Sequence, residues 1–281
     1  MTLAGTDIQT AALGVLATAG PRDKAAAAHA VALAWRKDEL TIPDLWRDGA
    51  DMPPPARPAA PALVPPGEVP RRRLNSQHGR VALLHAIAHI EFNAIDLAFD
   101  LIARFGGDAR IGESERHAFI SDWIGVGDDE ARHFVMVEDR LNQLNATYGD
   151  LPAHSGLWDA AQSTSHDLAA RLAVAPLVLE ARGLDVTPGM IERLRSIGDQ
   201  ASAAVLTQIY NEEIGHVGAG ARWFGTICSA MSVDPQTTYQ ELVRKHFKGG
   251  LKMPFNFKAR QDAGLPEAFY LPLAQTGPGF A

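Results

Sequence analysis

The sequence predicts an all-α protein: a four-helix bundle with additional N-terminal helices, a proline-rich strap and an irregular C-terminal tail. Three observations support this prediction. Apolar residues recur at helical spacing from about residue 76 to residue 230, with few strand signals. Glycine or proline interrupts this region near 106–112, 149–156 and 183–189, which delimits four long segments. Each of these segments carries a glutamate on its apolar stripe.

The regions before the bundle are predicted to be short helices and a strap. Residues 1–50 form a helical appendage with an alanine-rich helix near 23–35. Residues 51–75 contain eight prolines, which remove backbone donors and favour extended conformations. Because about fifty residues are too few for an independent core, we expect this strap to wrap the main domain.

Residues 76–232 are predicted to form the bundle. Its four long helices are expected at 77–105, 114–146, 157–183 and 199–231. A short extra helix is expected at 188–197, because Thr187 can cap it and Pro188 suits its first turn. Pro176 predicts a bend within the third helix. Residues 233–281 should add a helix near 235–247 and a tail packed on the bundle.

Composition narrows the class of protein. A chain of 281 residues that is 46% hydrophobic can bury a large core without disulfides. The single cysteine, Cys228, cannot form an internal disulfide and suits a reducing compartment, so a cytoplasmic location is expected. The formal charge of −7 does not favour binding a polyanion. No uninterrupted apolar run reaches the length that spans a bilayer, and no secretory leader is recognisable, so no membrane partner is expected.

Six potential metal ligands lie on the predicted buried faces. In the second and fourth helices the pattern is Glu-x-x-His, which places a carboxylate and an imidazole at consecutive inward positions. Burying four carboxylates without a compensating positive charge would cost several kcal/mol for each, or would force them to protonate. Two divalent cations would remove that cost. The predicted ligands are Glu91, Glu130, His133, Glu180, Glu213 and His216.

The pattern is specific enough to indicate a kind of metal. With 13 glutamates and 10 histidines in 281 residues, random placement gives about half of one Glu-x-x-His pair, whereas two occur on different helices. Mixed carboxylate and imidazole ligands favour iron or manganese. The order Glu, Glu-x-x-His, Glu, Glu-x-x-His is that of ferritin-like di-iron or di-manganese bundles. The predicted cofactor is therefore two metal ions, iron first, with manganese or a mixed iron–manganese pair left open.

Several segments also resemble a known family. HAIAHIEFNAIDLAFD, DDEARHF, LEARGLD, YNEEIGHV and KMPFNFKARQDAG are similar to the bacterial ferritin-like family labelled domain-of-unknown-function 455, over about residues 70–264. The resemblance implies a ferritin-like fold with ligands at the six positions above, and the sequence departs from it at none of them. A more distant similarity, limited to the ligand order, links the chain to di-iron tRNA hydroxylases and other ferritin-like oxygenases.

Two further groups of residues are candidates for supporting roles. Metal-bound histidines usually donate their second ring nitrogen to an acceptor, and polar neighbours can line the site. Candidates for this role are His85, His89, Asp96, Asp129 and Glu212. Structural or surface roles are the alternative for each. A basic stretch with two phenylalanines could border an entrance for an anionic or nucleobase-bearing substrate, and its residues are Lys252, Phe255, Phe257 and Arg260.

The leading functional prediction is an oxygen-dependent non-haem di-iron oxidoreductase, such as a hydroxylase, acting on an organic substrate with an external electron donor. One alternative is a ferroxidase or iron-handling protein, and another is a tRNA-nucleoside hydroxylase-like activity. A third is a binding module that keeps the fold without metal. A ferroxidase cage would need little beyond four helices, whereas here about seventy N-terminal and fifty C-terminal residues surround the bundle. The sequence leaves the substrate, the reductant and the oligomeric state open.

Overall fold

The protein is described by a computed structural model that covers residues 3–47, 49, 52–70, 73–248 and 250–274. Helices dominate, and the only β-type pairs in these residues are isolated bridges. The prediction of an all-α fold is therefore confirmed. Contacts divide the chain into two compact units. The first comprises residues 1–159 and 193–205, and the second comprises residues 160–192 and 206–281.

The α-helices are α1 (Ile8–Leu16), α2 (Pro21–Arg36), α3 (Gln77–Phe105), α4 (Glu113–Gln143), α5 (Gly156–Ser163), α6 (Leu168–Val174), α7 (Ala181–Ser196), α8 (Gln200–Ala230), α9 (Pro235–His246), α10 (Phe257–Asp262) and α11 (Glu267–Tyr270). A π-helix, Ala175–Glu180, joins α6 to α7. Short 3₁₀ turns occur at Pro66–Glu68 and Leu271–Leu273. The predicted first, second and fourth long helices match α3, α4 and α8 to within three residues at every end.

The core of the first unit is the packing of α3 against α4. The stripe predicted for α3 is buried, from Leu84 to Ile102. Gly127 of α4 allows close approach, since a Cβ atom there would lie 2.6 Å from the Phe99 ring. Helix α3 is long and apolar enough to cross a membrane, but most of the stretch that passes this test is buried inside the protein. That burial is typical of a core helix.

The N-terminal helices and the strap pack on this core. Gln9 of α1 donates to the carbonyl of Ala103 at the end of α3, over 2.8 Å. Lys24 of α2 forms an ion pair with Asp96 of α3, and both side chains are fully buried. In the strap, Arg57 Nη1 lies 2.8 Å from the second oxygen of Asp96. The α2 helix and the strap therefore meet at one buried carboxylate of α3.

The third predicted helix is broken in the structure, where a single helix over 157–183 was expected. Helix α5 ends at Ser163, and the Thr164 hydroxyl donates to the carbonyl of Ala160 over 3.0 Å. Asp167 then caps the new helix α6 by accepting from the Ala170 N–H over 3.0 Å. Local side-chain hydrogen bonds that compete with the helix explain this break.

Pro176 lies in the π-helix, where the sequence predicted a bend. The wider π turn suits a residue that cannot donate a backbone hydrogen bond. Tyr239 of α9 donates its hydroxyl to the carbonyl of Leu177 over 3.1 Å, so one carbonyl of the irregular turn has a side-chain partner. Gly220 of α8 passes close by, since a Cβ atom there would lie 2.5 Å from Pro176 Cβ.

The separate helix expected at 188–197 does not form, because α7 runs without interruption from Ala181 to Ser196 and contains Pro188. A proline inside a helix deprives the carbonyl four residues earlier of its partner, and here that carbonyl belongs to Leu184. The Asn256 side-chain amide donates to the Leu184 carbonyl over 3.1 Å. The C-terminal segment thus replaces the lost hydrogen bond, and the helix continues through the proline.

Candidate metal centre

The first unit contains a buried cluster of two glutamates and one histidine. Glu91 comes from α3, and Glu130 and His133 come from consecutive inward positions of α4. All three side chains are at most 5% exposed. Each offers a ligand atom, and these atoms lie within 4.8 Å of one another. A buried glutamate–histidine cluster of this kind could hold a metal ion.

Like charges crowd this cluster. Burial raises the pKa of Glu91 well above its usual range, and the neighbouring Glu130 carboxylate raises it further, while His133 acts in the opposite direction. Burial alone would lower the pKa of His133, but its contacts with the two carboxylates outweigh this and raise it to about 11. The protein thus needs positive charge at this point, which either a protonated imidazole or a cation can supply.

The distances fit ligands that share one ion. His133 Nδ1 lies 3.3 Å from Glu91 Oε2 and 3.6 Å from Glu130 Oε2. Charge-assisted hydrogen bonds between nitrogen and oxygen are shorter, about 2.7–2.9 Å. Two ligand atoms that each lie about 2.1 Å from one ion are about 3.0–3.6 Å apart when the angle at the ion is about 90–120°. The donor set of two carboxylates and an imidazole therefore fits a divalent metal, with Nδ1 as the ligating nitrogen.

The second unit carries the other three predicted ligands. Glu213 and His216 lie on α8, with His216 Nδ1 3.5 Å from Glu213 Oε2. The corresponding distance between His133 and Glu130 is 3.6 Å, and the two agree because both pairs are three residues apart on a helix. Both side chains are largely buried, with 12% and 4% exposure. Glu180 is the last residue of the π-helix and is partly buried.

The candidate supporting residues have other partners in the structure. Asp96 is paired with Lys24 and Arg57, and burial raises its pKa to about 6 although both cations oppose the shift. Asp129 pairs with Arg132 at 2.6 Å and is 40% exposed. Glu212 accepts a long hydrogen bond of 3.5 Å from Gln208. The contacts described for Asp96 and Asp129 are ion pairs, and the one described for Glu212 is a hydrogen bond to a neighbour on α8.

The two histidines of α3 hold a loop. His85 Nε2 accepts the Gly149 N–H over 2.9 Å, and His89 Nδ1 lies 2.8 Å from the Tyr148 hydroxyl. His89 Nε2 lies 3.2 Å from the His154 carbonyl. Burial lowers the pKa of each histidine to about 4. These contacts match the structural role that was left open for the pair.

The residues predicted to border a substrate entrance meet in the second unit. Lys252, Phe255 and Arg260 line a cavity of about 230 Å³. Phe257 does not line it, and its ring packs edge-on against Phe255, with 6.4 Å between centroids. The sequence did not reveal that Val178, Leu179 and Arg182 also line this cavity. They lie about seventy residues earlier in the chain, and no local pattern reports a contact over that separation.

The fold and the buried cluster define an all-α protein with a candidate metal centre. The chain belongs to the family described as "Protein of unknown function (DUF455)", whose model matches residues 17–271. It is 42% identical over 212 residues to an uncharacterized protein of Haemophilus influenzae, which covers 75% of this chain and 74% of that protein. No solved structure matches.

Proposed function

We propose that the protein is a ferritin-like di-metal carboxylate oxidoreductase that uses dioxygen, with iron as the metal, in the cytoplasm. The observation that carries the proposal is the buried group of Glu91, Glu130 and His133. Its two crowded carboxylates need a positive charge, and its atom separations suit ligands of one ion. Bound ferrous iron would supply the electrons that reduce dioxygen.

In this proposal six side chains serve two ions. Glu130 with His133 and Glu213 with His216 would each hold one ion, and Glu91 and Glu180 would complete the set. The second pair supports this assignment because its Nδ1-to-carboxylate distance of 3.5 Å matches the 3.6 Å of the first. Six side chains shared between two ions would leave coordination positions open for oxygen. The protein residues would hold the ions and keep bulk water away.

The proposal predicts a reaction between the reduced, iron-loaded protein and oxygen. Wild-type protein loaded with ferrous iron without air should consume dioxygen and develop a new near-ultraviolet absorption when air-saturated buffer is mixed in. Glu130→Ala should lose most of this reaction, because the substitution removes the carboxylate that lies beside His133 and that would bind the same ion. Glu115→Ala is the matched control, since Glu115 is an exposed glutamate on the same helix.

The same experiment separates the proposal from iron storage. An oxidoreductase should stop at about two oxidised irons per chain unless a reductant is added, whereas a storage protein should keep oxidising added iron. A wild-type protein that does not consume oxygen would overturn the proposal. So would a Glu130→Ala variant that reacts as fast as wild type.

A further inference from the structure

The second unit contains a cavity of about 230 Å³ that no metal ligand lines. Its apolar surface comes from Val178 and Leu179 of the π-helix and from Leu251 and Phe255 of the C-terminal segment. Phe255 and Leu251 are each 6% exposed, so both side chains are packed into the protein beside the cavity. Such a mainly apolar cavity with a few polar groups is typical of a small-molecule site.

The remaining lining is strongly basic, because four cations contribute: Arg182, Lys248, Lys252 and Arg260. The acid that offsets them is Asp185, which accepts from Arg260 over 2.8 and 2.7 Å. Lys248 and Lys252 are exposed, and neither forms an ion pair with an acid in the part of the chain described here. The cavity therefore carries an excess of positive charge at its two lysines.

The cavity is also held in shape by its own cations. Arg182 Nη1 donates to the carbonyls of Lys252 and Pro254, over 2.7 and 3.1 Å, and so fixes the rim. The Arg260 guanidinium is 2% exposed and lies 4.9 Å from the centre of the Phe255 ring and 4.5 Å from that of Tyr270. These two arginines therefore make structural contacts within the protein, whereas the two lysines are available to bind a ligand.

We propose that this cavity binds a small organic anion, a carboxylate or phosphate attached to an apolar body, and that this anion is the substrate. The apolar body would contact the π-helix and Phe255, and the anionic group would meet Lys248 and Lys252. The substrate assignment rests on the proposed function. It follows from sequence position, since Val178 and Leu179 directly precede the predicted ligand Glu180 on one π-helix.

The test is calorimetric binding, in the absence of air, to the whole chain loaded with manganese(II). The probes are octyl phosphate and octanoate, with octanol and inorganic phosphate as controls for the apolar body and the anion alone. Octyl phosphate or octanoate should bind at least tenfold more tightly than either control. Whichever of the two binds more tightly identifies the anionic group as phosphate or carboxylate.

Variants assign the binding to the cavity. The double variant Lys248→Gln/Lys252→Gln should bind the tighter of the two probes at least tenfold more weakly than wild type. Arg244→Gln/Lys245→Gln removes the same charge from exposed positions of α9 outside the cavity and should leave binding unchanged. The proposal is overturned if neither amphiphile binds, if octanol binds as tightly as the anions, or if the first variant binds like wild type.

Metal content measured on the same samples keeps the two proposals apart. Failure of the probes to bind a protein that holds two ions per chain would overturn the cavity proposal and leave the proposed function standing. Probe binding by a protein that retains neither manganese nor ferrous iron would overturn the proposed function, and with it the assignment of the anion as substrate.

Discussion

At the scale of single residues, the sequence pattern correctly predicted that Glu91, Glu130 and His133 are buried. Steps of three and four residues place each group on the inner face of its helix, and the structure buries all three there. The sequence could predict this register because it depends only on helical geometry. It could not predict that the Nδ1 atom, rather than Nε2, faces the carboxylates, since that depends on side-chain rotamers.

His85 provides a residue-scale prediction about pH. Its Nε2 accepts the Gly149 N–H, and burial lowers its pKa from an ordinary value near 6.5 to about 4, although the nearby Asp150 acts against the shift. The unfolded chain therefore binds the proton first as pH falls. The stability that His85 contributes is complete above pH 6.5 and is lost between pH 6.5 and pH 4, by up to about 3 kcal/mol.

Denaturant unfolding at several pH values checks this. The free energy of unfolding of wild type should fall between pH 6.5 and pH 4 more steeply than that of His85→Gln, whose amide oxygen can still accept the Gly149 N–H but does not titrate. Parallel pH profiles for the two proteins would contradict the role assigned to His85.

At the scale of elements, long helices were predictable and their interruptions were not. The ends of α3, α4 and α8 follow from apolar periodicity over about thirty residues, which is a strong local signal. The break before α6 depends on Thr164 and Asp167, whose side chains compete with the backbone. The continuity of α7 through Pro188 depends on Asn256, which is distant in sequence, so local reasoning predicted a helix start there.

The close approach of α8 to the π-helix gives an element-scale prediction. Gly220→Ala would place a Cβ atom 2.5 Å from Pro176 Cβ, so α8 or the π-helix must shift. We expect it to destabilise the protein by about 1–3 kcal/mol and to weaken metal binding, because Glu180 ends the same π-helix.

Gly225→Ala is the matched control on the same helix, since nothing lies within 4 Å of a Cβ atom there. It should stabilise the protein slightly, by up to about 1 kcal/mol. Thermal unfolding and metal titration of both variants provide the measurement. If both substitutions had the same effect, contact with Pro176 would not be the reason that position 220 is a glycine.

At the scale of the whole molecule, the all-α class was predictable because composition, periodicity and turn residues agree along the chain. The contact between the strap and the loop around Ala153 was not predictable in the same way. The strap was expected to wrap the main domain, and its Val64 N–H does donate to the Ala153 carbonyl over 2.8 Å. Which residues it would meet could not be predicted, since proline-rich sequence carries no pairing pattern.

Cavities are likewise a whole-molecule property. The basic C-terminal stretch was visible in the sequence, but its apolar counterpart on the π-helix was not. Both are needed to define the chemistry of a ligand, because basic residues alone are usually solvated surface. The inference about an organic anion could therefore arise only from the assembled second unit.

The number of metal ions bound per chain is the decisive quantity for the proposed two-metal centre. Protein loaded anaerobically with excess ferrous iron, then freed of unbound metal and analysed for iron, should contain two ions per chain. Glu130→Ala and Glu213→Ala should each retain about one, while the exposed controls Glu115→Ala and Glu241→Ala should retain two. Wild-type protein that binds well under two ions per chain, or two ligand variants that both still bind two, would contradict a two-metal centre at these residues.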